Sequence, residues 1–308
     1  MAYVDAEIAS QPDCWREAAN LAPTVADRLP RPGERTAVVG CGTSWFMAAA
    51  YAARREAAGQ GETDAFQASE FPTTRRYDRL VAITRSGTTT EVTDLLAALR
   101  GHLPTTVIVG DPDSPAAGLA DTVPLPFADE RSVVQTRFAT TALALLRAHL
   151  GDNVSALAAD AEVAVRAPLP LDPTRVEQAT FLGRGWTVGL AQEAALKCRE
   201  AATFWAEAYP AMDYRHGPIS IAAPGRLVWA FGEIPDGLAE DVAATGAAFV
   251  HSRTNGCRTV LGRWAAGRTP VDPMADLILA QRFAVALATS RGLDPDAPRH
   301  LTRSVVLA

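Results

Sequence analysis

Two hydrophobic rhythms alternate along this chain: short continuous apolar runs, and longer stretches in which apolar residues return every three or four positions. Runs of the first kind predict buried strands and stretches of the second predict amphipathic helices. Residues 1–30 read as a helical lead-in broken at Pro12. Residues 35–57 then read as strand, glycine-rich turn and helix, and a short strand follows near 64–68. The run Leu80 to Ile83 is a strand that stops at a hydroxyl-rich loop. After that loop Val92, Leu95, Leu96 and Leu99 take i, i+3, i+4, i+7 spacing, which predicts a helix starting near Thr89 or Thr90. A strand over 105–111 and a long helix over 136–150 close this half.

An alanine- and proline-rich connection with its own helical stretch occupies 151–175, and then the pattern restarts. The segment from 178 reads again as strand, Gly-x-Gly turn and helix, the helix running over 187–205. Further strands are predicted at 226–232, 247–252 and 258–262, with a last helix over 277–292. Two successive β-α series predict an α/β fold with two parallel-sheet halves. The matching openings VVGCGTS and FLGRGWT suggest an internal duplication.

Composition narrows the classes of function. In 308 residues, 48% are apolar and 21% charged, as in soluble globular domains. The net charge of −6 without a basic block argues against a nucleic-acid surface, but not against a small anion held locally. The four cysteines, Cys14, Cys41, Cys198 and Cys257, form no CxxC pair, so neither a zinc site nor a redox motif is expected. No signal peptide or membrane-spanning run is visible, and a cytoplasmic protein is expected. Of 29 basic residues only Lys197 is lysine, so any step that needs an amine side chain falls to it.

The loop from Thr84 to Thr90 carries hydroxyls at five of seven positions, with Arg85 and Gly87 between them. It precedes a helix whose first amides lack intrahelical partners and whose N-terminus is partially positive. Those amides with Thr84, Ser86, Thr88 and Thr89, and a charge-assisted contact from Arg85, suit a phosphate. Simple capping by serine or threonine is the competing explanation. A Walker-type loop is excluded because its Gly-Lys-Ser/Thr element is missing, and Trp45 breaks a G-x-G-x-x-G pattern, so a nucleotide site is disfavoured.

The second candidate lies on the helix over 187–205. Glu193, Lys197 and Glu200 share one face of a mostly apolar segment. On an exposed helix such a stripe is an ordinary set of ion pairs. On a buried one it faces a polar cavity or a subunit interface, because buried charges must be paired. Further on, His216 precedes Gly217-Pro218 in a loop, beside Asp213, Tyr214 and Arg215. A structural role and a catalytic role both fit it.

The motifs GCGTSW, ITRSGTTTE and FLGRGWTVGLAQEAALKCREAATFWAEAYPAMDYRHGPIS, with the tail DPDAPRHLTRSV, resemble the sugar isomerase (SIS) family. The likeness runs from about residue 10 to the C-terminus and is most specific over 181–218. It is nearest to the isomerase half of glucosamine-6-phosphate synthase, and no glutaminase half is expected. The resemblance implies two stacked SIS subdomains, each a parallel five-stranded sheet flanked by helices in a flavodoxin-like three-layer sandwich. These would cover 31–155 and 156–290, with 291–308 as a tail over the active site. It implies a phosphosugar or amino sugar phosphate bound by Thr43, Ser44, Thr84, Arg85, Ser86 and Thr89, with Val133 nearby. Glu200 would move a proton between C1 and C2, and Lys197 and Glu193 would line the site. His216 would assist ring opening from the partner subunit of a homodimer with a shared active site. No cofactor or metal is implied, and neither nucleic acid nor membrane is an expected partner.

Two positions depart from the synthase pattern. Arg303 stands where the synthase has a tail lysine, and arginine forms no Schiff base. Arg85 stands where it has glutamine. The expected activity is therefore aldose–ketose isomerisation of a hexose 6-phosphate, or isomerising deamination or deglycation of an amino sugar 6-phosphate. The alternative is a SIS protein that senses a phosphosugar without turning it over. Such a sensor would keep the hydroxyl loop but would not need Glu200 and His216.

Overall fold

The computed structural model describes residues 2–251 and 271–307. The chain divides into two compact units. The N-terminal unit is Ser10–Ala158 with Leu301–Ala308, and the C-terminal unit is Met1–Ala9 with Ala159–His300.

In the N-terminal unit, helix α2 (Gln11–Leu21) leads into β1 (Thr36–Gly40), α3 (Thr43–Ala57) and β2 (Thr63–Gln67). Then come β3 (Arg79–Thr84), α4 (Thr90–Leu99), β4 (Thr105–Val109), β5 (Asp121–Pro124) and α5 (Arg137–His149). The five strands are all parallel in the order β2-β1-β3-β4-β5. A parallel sheet is covered on both faces, so its central strands read as unbroken apolar runs. Ala37, Val39, Leu80, Ala82, Val107 and Val109 pack with Val92, Leu95 and Leu96 of α4 on one face. The alternate residues Val38, Val81, Ile83 and Ile108 turn to the other face and are equally buried. Trp15 anchors α2 to α5, its indole N–H donating to Thr140 Oγ1 at 3.1 Å.

The chain's first helix, α1 (Tyr3–Ala9), belongs to the C-terminal unit. Helix α6 (Val154–Arg166) contains the division between the units. The C-terminal unit continues with β6 (Gln178–Gly183), α7 (Thr187–Ala202), β7 (Ala206–Pro210), β8 (Arg226–Phe231), α8 (Leu238–Ala244), β9 (Ala248–His251) and α9 (Pro273–Ser290). Among the described residues its sheet has four parallel strands in the order β7-β6-β8-β9. The strand expected at 258–262 lies outside the described residues. Leu182, Val228 and Ala230 pack with Tyr214, Leu238 and Val242 on one face.

The helical lead-in breaks at Ser10 rather than at Pro12, which sits in the first turn of α2. There its missing N–H would have had no intrahelical partner anyway. The helix expected over 187–205 stops at Ala202. Thr203 turns left-handed (φ 49°) and the chain re-enters the sheet as β7. Three elements, β5, β7 and α8, lie where the apolar pattern shows none. They are short, of four, five and seven residues, too brief for periodicity to register.

Candidate functional site

In the N-terminal unit the hydroxyl loop runs from the end of β3 to the start of α4. Thr84, Arg85 and Ser86 are buried, and Thr88 and Thr89 are half-buried. Gly87 takes φ +62°, and a Cβ there would fall 1.9 Å from Ser114 Oγ, so the turn admits only glycine. Thr89 occupies the N-cap position of α4, yet its side chain makes no capping hydrogen bond. The hydroxyl is thus not committed to the helix, which weakens the capping explanation for the loop's composition. Ser86 Oγ lies 3.0 Å from Thr88 Oγ1 and accepts the Thr88 N–H at 3.3 Å.

Arg85 has a structural assignment. Its guanidinium donates to the carbonyls of Ser132 (2.9 Å), Val133 (3.3 Å) and Arg303 (2.8 Å), and lies 3.8 Å from Glu130 Oε2. The contact with Val133 is therefore through its main chain. Arg303 itself forms a two-pronged pair with Asp129 (2.6 and 2.7 Å) and donates to the Glu130 carbonyl. Glu130 is buried and stitches this region to α5, its Oε1 accepting from Thr136 N–H (2.6 Å), Thr136 Oγ1 (2.8 Å) and Arg137 N–H (2.7 Å). A carboxylate at a helix start is favoured by the helix dipole.

Thr43 opens α3 after Gly42 (φ 53°), and Ser44 Oγ lies 3.5 Å from Gln135 Oε1; both Thr43 and Ser44 are buried. Cys41 sits in this turn. Burial, with the charge of Glu91, pushes its thiol up, so it stays protonated and is no nucleophile near neutral pH.

In the C-terminal unit, α7 presents the charged row. Lys197 Nζ lies 2.5 Å from Glu200 Oε2 and 3.4 Å from Glu193 Oε1. Glu193 and Lys197 are buried, whereas the Glu200 side chain is 20% exposed. The stripe is thus not a solvated face. It is an ion-pair row whose outermost carboxylate remains reachable from solvent. A carboxylate so placed can take and return a proton while the ammonium holds its orientation. Cys198, the neighbour of Lys197, is fully buried and its thiol is pushed up to about 12 by burial. His216 is exposed. It follows a short 3-10 turn, Asp213–Arg215, and its N–H donates to the Asp213 carbonyl at 2.8 Å. Arg215 is held by Asp241 (2.6 Å) and the Asp236 carbonyl (2.7 Å), and Tyr214 is buried.

The structure therefore groups Thr84, Arg85, Ser86, Thr89, Val133 and Arg303 in one unit with Thr43 and Ser44. Glu193, Lys197 and Glu200 form a contiguous row in the other, which also carries His216. Sequence reasoning passed over Asp129 and Glu130. Two adjacent acids in a loop carry no periodic signal, and only the fold brings them to Arg85 and Arg303. Among the described residues no group of three or more His, Cys, Asp and Glu side chains could hold a metal ion, and no helix is long and apolar enough to cross a membrane.

No protein-family model matches the chain. Its sequence is similar to the glutamine–fructose-6-phosphate aminotransferase (isomerizing) of Caulobacter vibrioides, 27% identical over 99% of this chain and 59% of the relative. The chain spans about three fifths or less of the length of the curated relatives it matches. Among solved structures it resembles a glucosamine-6-phosphate deaminase from Thermotoga maritima, with TM-score 0.77 and 23% identity over 99% of this chain and 100% of that one. It also resembles the C-terminal domain of a glucosamine-fructose-6-phosphate aminotransferase from Francisella tularensis, with TM-score 0.81 and 21% identity over 96% and 98% of the two chains.

Proposed function

We propose that this chain is a member of the sugar isomerase (SIS) family and an enzyme acting on a phosphosugar, a reading supported by its likeness to the aminotransferase of Caulobacter vibrioides and by the shared fold. The reaction is aldose–ketose isomerisation of a hexose 6-phosphate, or the isomerising deamination or deglycation of an amino sugar 6-phosphate. The hydroxyls of Thr84, Ser86 and Thr89, with Thr43 and Ser44, hold the phosphate. Glu200 takes the proton from C2 of the open-chain aldose and returns it to C1 through an enediol-type intermediate, while a proton moves between the two oxygens. With an amine on C2 the same shift leaves a ketimine, and water then releases the amine and the ketose. Lys197 orients the Glu200 carboxylate. His216 is read as assisting ring opening in a second copy of the chain.

The observation that carries this reading is the α7 row, in which a buried lysine holds a partly exposed carboxylate at 2.5 Å. A protein that only binds phosphosugars needs the hydroxyl loop but no such group. Glu200→Gln is expected to lower kcat by roughly 10²–10⁴-fold while phosphosugar binding is kept. The assay is ammonia release and aldose–ketose interconversion with glucosamine 6-phosphate and fructose 6-phosphate. Binding without turnover of any hexose or amino sugar phosphate would instead point to a sensor. Sharing of the site between copies has its own test: mixed Glu200→Gln and His216→Ala chains should regain activity that neither has alone.

A further inference from the structure

The two segments assigned to the phosphate, residues 40–45 and Thr84–Thr90, contain a single charged side chain between them, that of Arg85. The next charged residue, Glu91 in the first turn of α4, is an acid. Hydroxyls and helix-start amides can hold an oxyanion by themselves. What Arg85 does with its charge therefore decides how the loop tells one anion from another.

The guanidinium is engaged elsewhere. It donates to the main-chain carbonyls of Ser132 (2.9 Å), Val133 (3.3 Å) and Arg303 (2.8 Å). Its charge is met by Glu130. Glu130 Oε1 accepts from Thr136 N–H, Thr136 Oγ1 and Arg137 N–H, which holds the start of α5. Glu130 Oε2 is buried, makes no hydrogen bond and faces the guanidinium at 3.8 Å. At that distance the two groups meet as charges and not as a hydrogen-bonded pair. Their side chains are 6% and 0% exposed, so salt and water screen them little. Holding α5 takes only Oε1, an oxygen that glutamine would also supply. What the carboxylate adds is the charge that cancels Arg85.

We propose that Glu130 is a specificity-determining residue: by neutralising Arg85 it leaves the hydroxyl loop an uncharged oxyanion site, which takes singly charged sugar 6-sulfates nearly as well as sugar 6-phosphates. This rests on the reading of the loop as the anion site. A phosphate ester carries close to two charges above neutral pH, whereas a sulfate ester carries one. The cost of taking an ion out of water rises with the square of its charge, so a second charge is favoured only where a cation meets it.

The test titrates glucosamine 6-phosphate and glucosamine 6-sulfate calorimetrically at about pH 7.5, where the phosphate ester is doubly charged. Glu200→Gln is the background, so that turnover adds no heat. The sulfate should bind within about tenfold of the phosphate. Adding Glu130→Gln uncovers the Arg85 charge and should shift the ratio of the two affinities about tenfold further toward phosphate. Adding Arg85→Gln as well should return the ratio to that of the background. Loss of packing alone would weaken both esters together and leave the ratio unchanged. A sulfate bound about a hundredfold or more weaker than the phosphate would overturn the neutral site while leaving the anion site intact. A ratio unmoved by Glu130→Gln would overturn the role of Glu130. Should Glu130→Gln fail to fold, the background ratio and that of the doubly neutral pair still decide, since both must lie within about tenfold of unity. If neither ester binds the background chain, the reading of the loop itself fails.

Discussion

The two units begin alike and then diverge in chemistry. Strand β1, its turn and α3 repeat as β6, its turn and α7. Gly40 and Gly183 end the strands, Gly42 and Gly185 take positive φ (53° and 57°), and the helices follow. A Cβ at Gly40 would fall 2.7 Å from the Ser44 carbonyl carbon, and one at Gly183 would fall 2.2 Å from the Thr187 oxygen. Both turns therefore bring the helix start against the strand so closely that glycine is required. The sheet orders match as well, strand for strand, through β4 and β9.

With Gly40 laid on Gly183, the positions of Glu193, Lys197 and Glu200 fall on Ala50, Arg54 and Ala57. The strand registers likewise lay Thr84-Arg85-Ser86 on Gly232-Glu233-Ile234. So the unit that has the hydroxyl loop has alanines in place of the two glutamates. The unit that has the charged row has an acidic, proline-containing segment in place of the loop. One βαβ plan serves as scaffold twice, and each copy carries a different half of the polar chemistry.

The sharpest way to break this comparison is the Glu200→Gln variant described above, where the expected loss is the largest. Next come the matched basic residues. Lys197→Met leaves Glu193 buried beside an apolar side chain and should destabilise the fold by about 3–5 kcal/mol, read from urea unfolding. Arg54→Met, at the equivalent place, should cost less, because Arg54 and Asp152 are 27% and 19% exposed and Asp152 keeps Arg147 at 2.7 Å. Equal losses would show that the α7 row is no more specialised than the α3 pair.

A smaller effect tests the loop. Thr89→Val should weaken fructose 6-phosphate binding by about 1.5–3 kcal/mol, the worth of a hydrogen bond to a charged group. Its thermal stability should stay nearly unchanged, since Thr89 caps nothing. A drop in melting temperature with unchanged affinity would return the loop to plain capping.

The smallest effect concerns pH. Burial alone would raise the Asp152 carboxyl, but hydrogen bonds from Arg54 and Arg147, and their charges, hold it below the ordinary carboxylate range. A depressed folded pKa gives stability that is full above the unfolded value, near about 3.9, and is lost as pH falls through the folded value. Asp152→Asn should therefore flatten the acid limb of the stability curve below about pH 4 and lower the plateau above it. An acid limb as steep as in the parent would remove Asp152 from that balance.

Much of this was legible from residue order, and the exceptions share a cause. The runs ending at Ile83, Val109 and Phe231 were readable as strands because a buried parallel strand is apolar on both faces. The Glu193–Lys197–Glu200 stripe was visible because helix geometry alone puts those positions on one face. Whether that face was solvated was not visible, since burial depends on what packs against it. The overrun of α7 came from Phe204 and Trp205, which continue the apolar texture while Thr203 reverses the backbone.

By itself the amino-acid order determined the duplicated strand–turn–helix plan, the glycines that let each helix start against its strand, and the loop of hydroxyls. Those are local properties, set by periodicity of 2 or 3.6 and by backbone sterics within a few residues. Tertiary structure alone decided that Lys197 is buried between two carboxylates and that Arg85 serves backbone carbonyls. It alone also decided that Arg303 reaches Asp129, 174 positions earlier in the chain. A polar side chain's partner is chosen by whichever chain segment the fold delivers to it, and separation along the chain carries no trace of that choice.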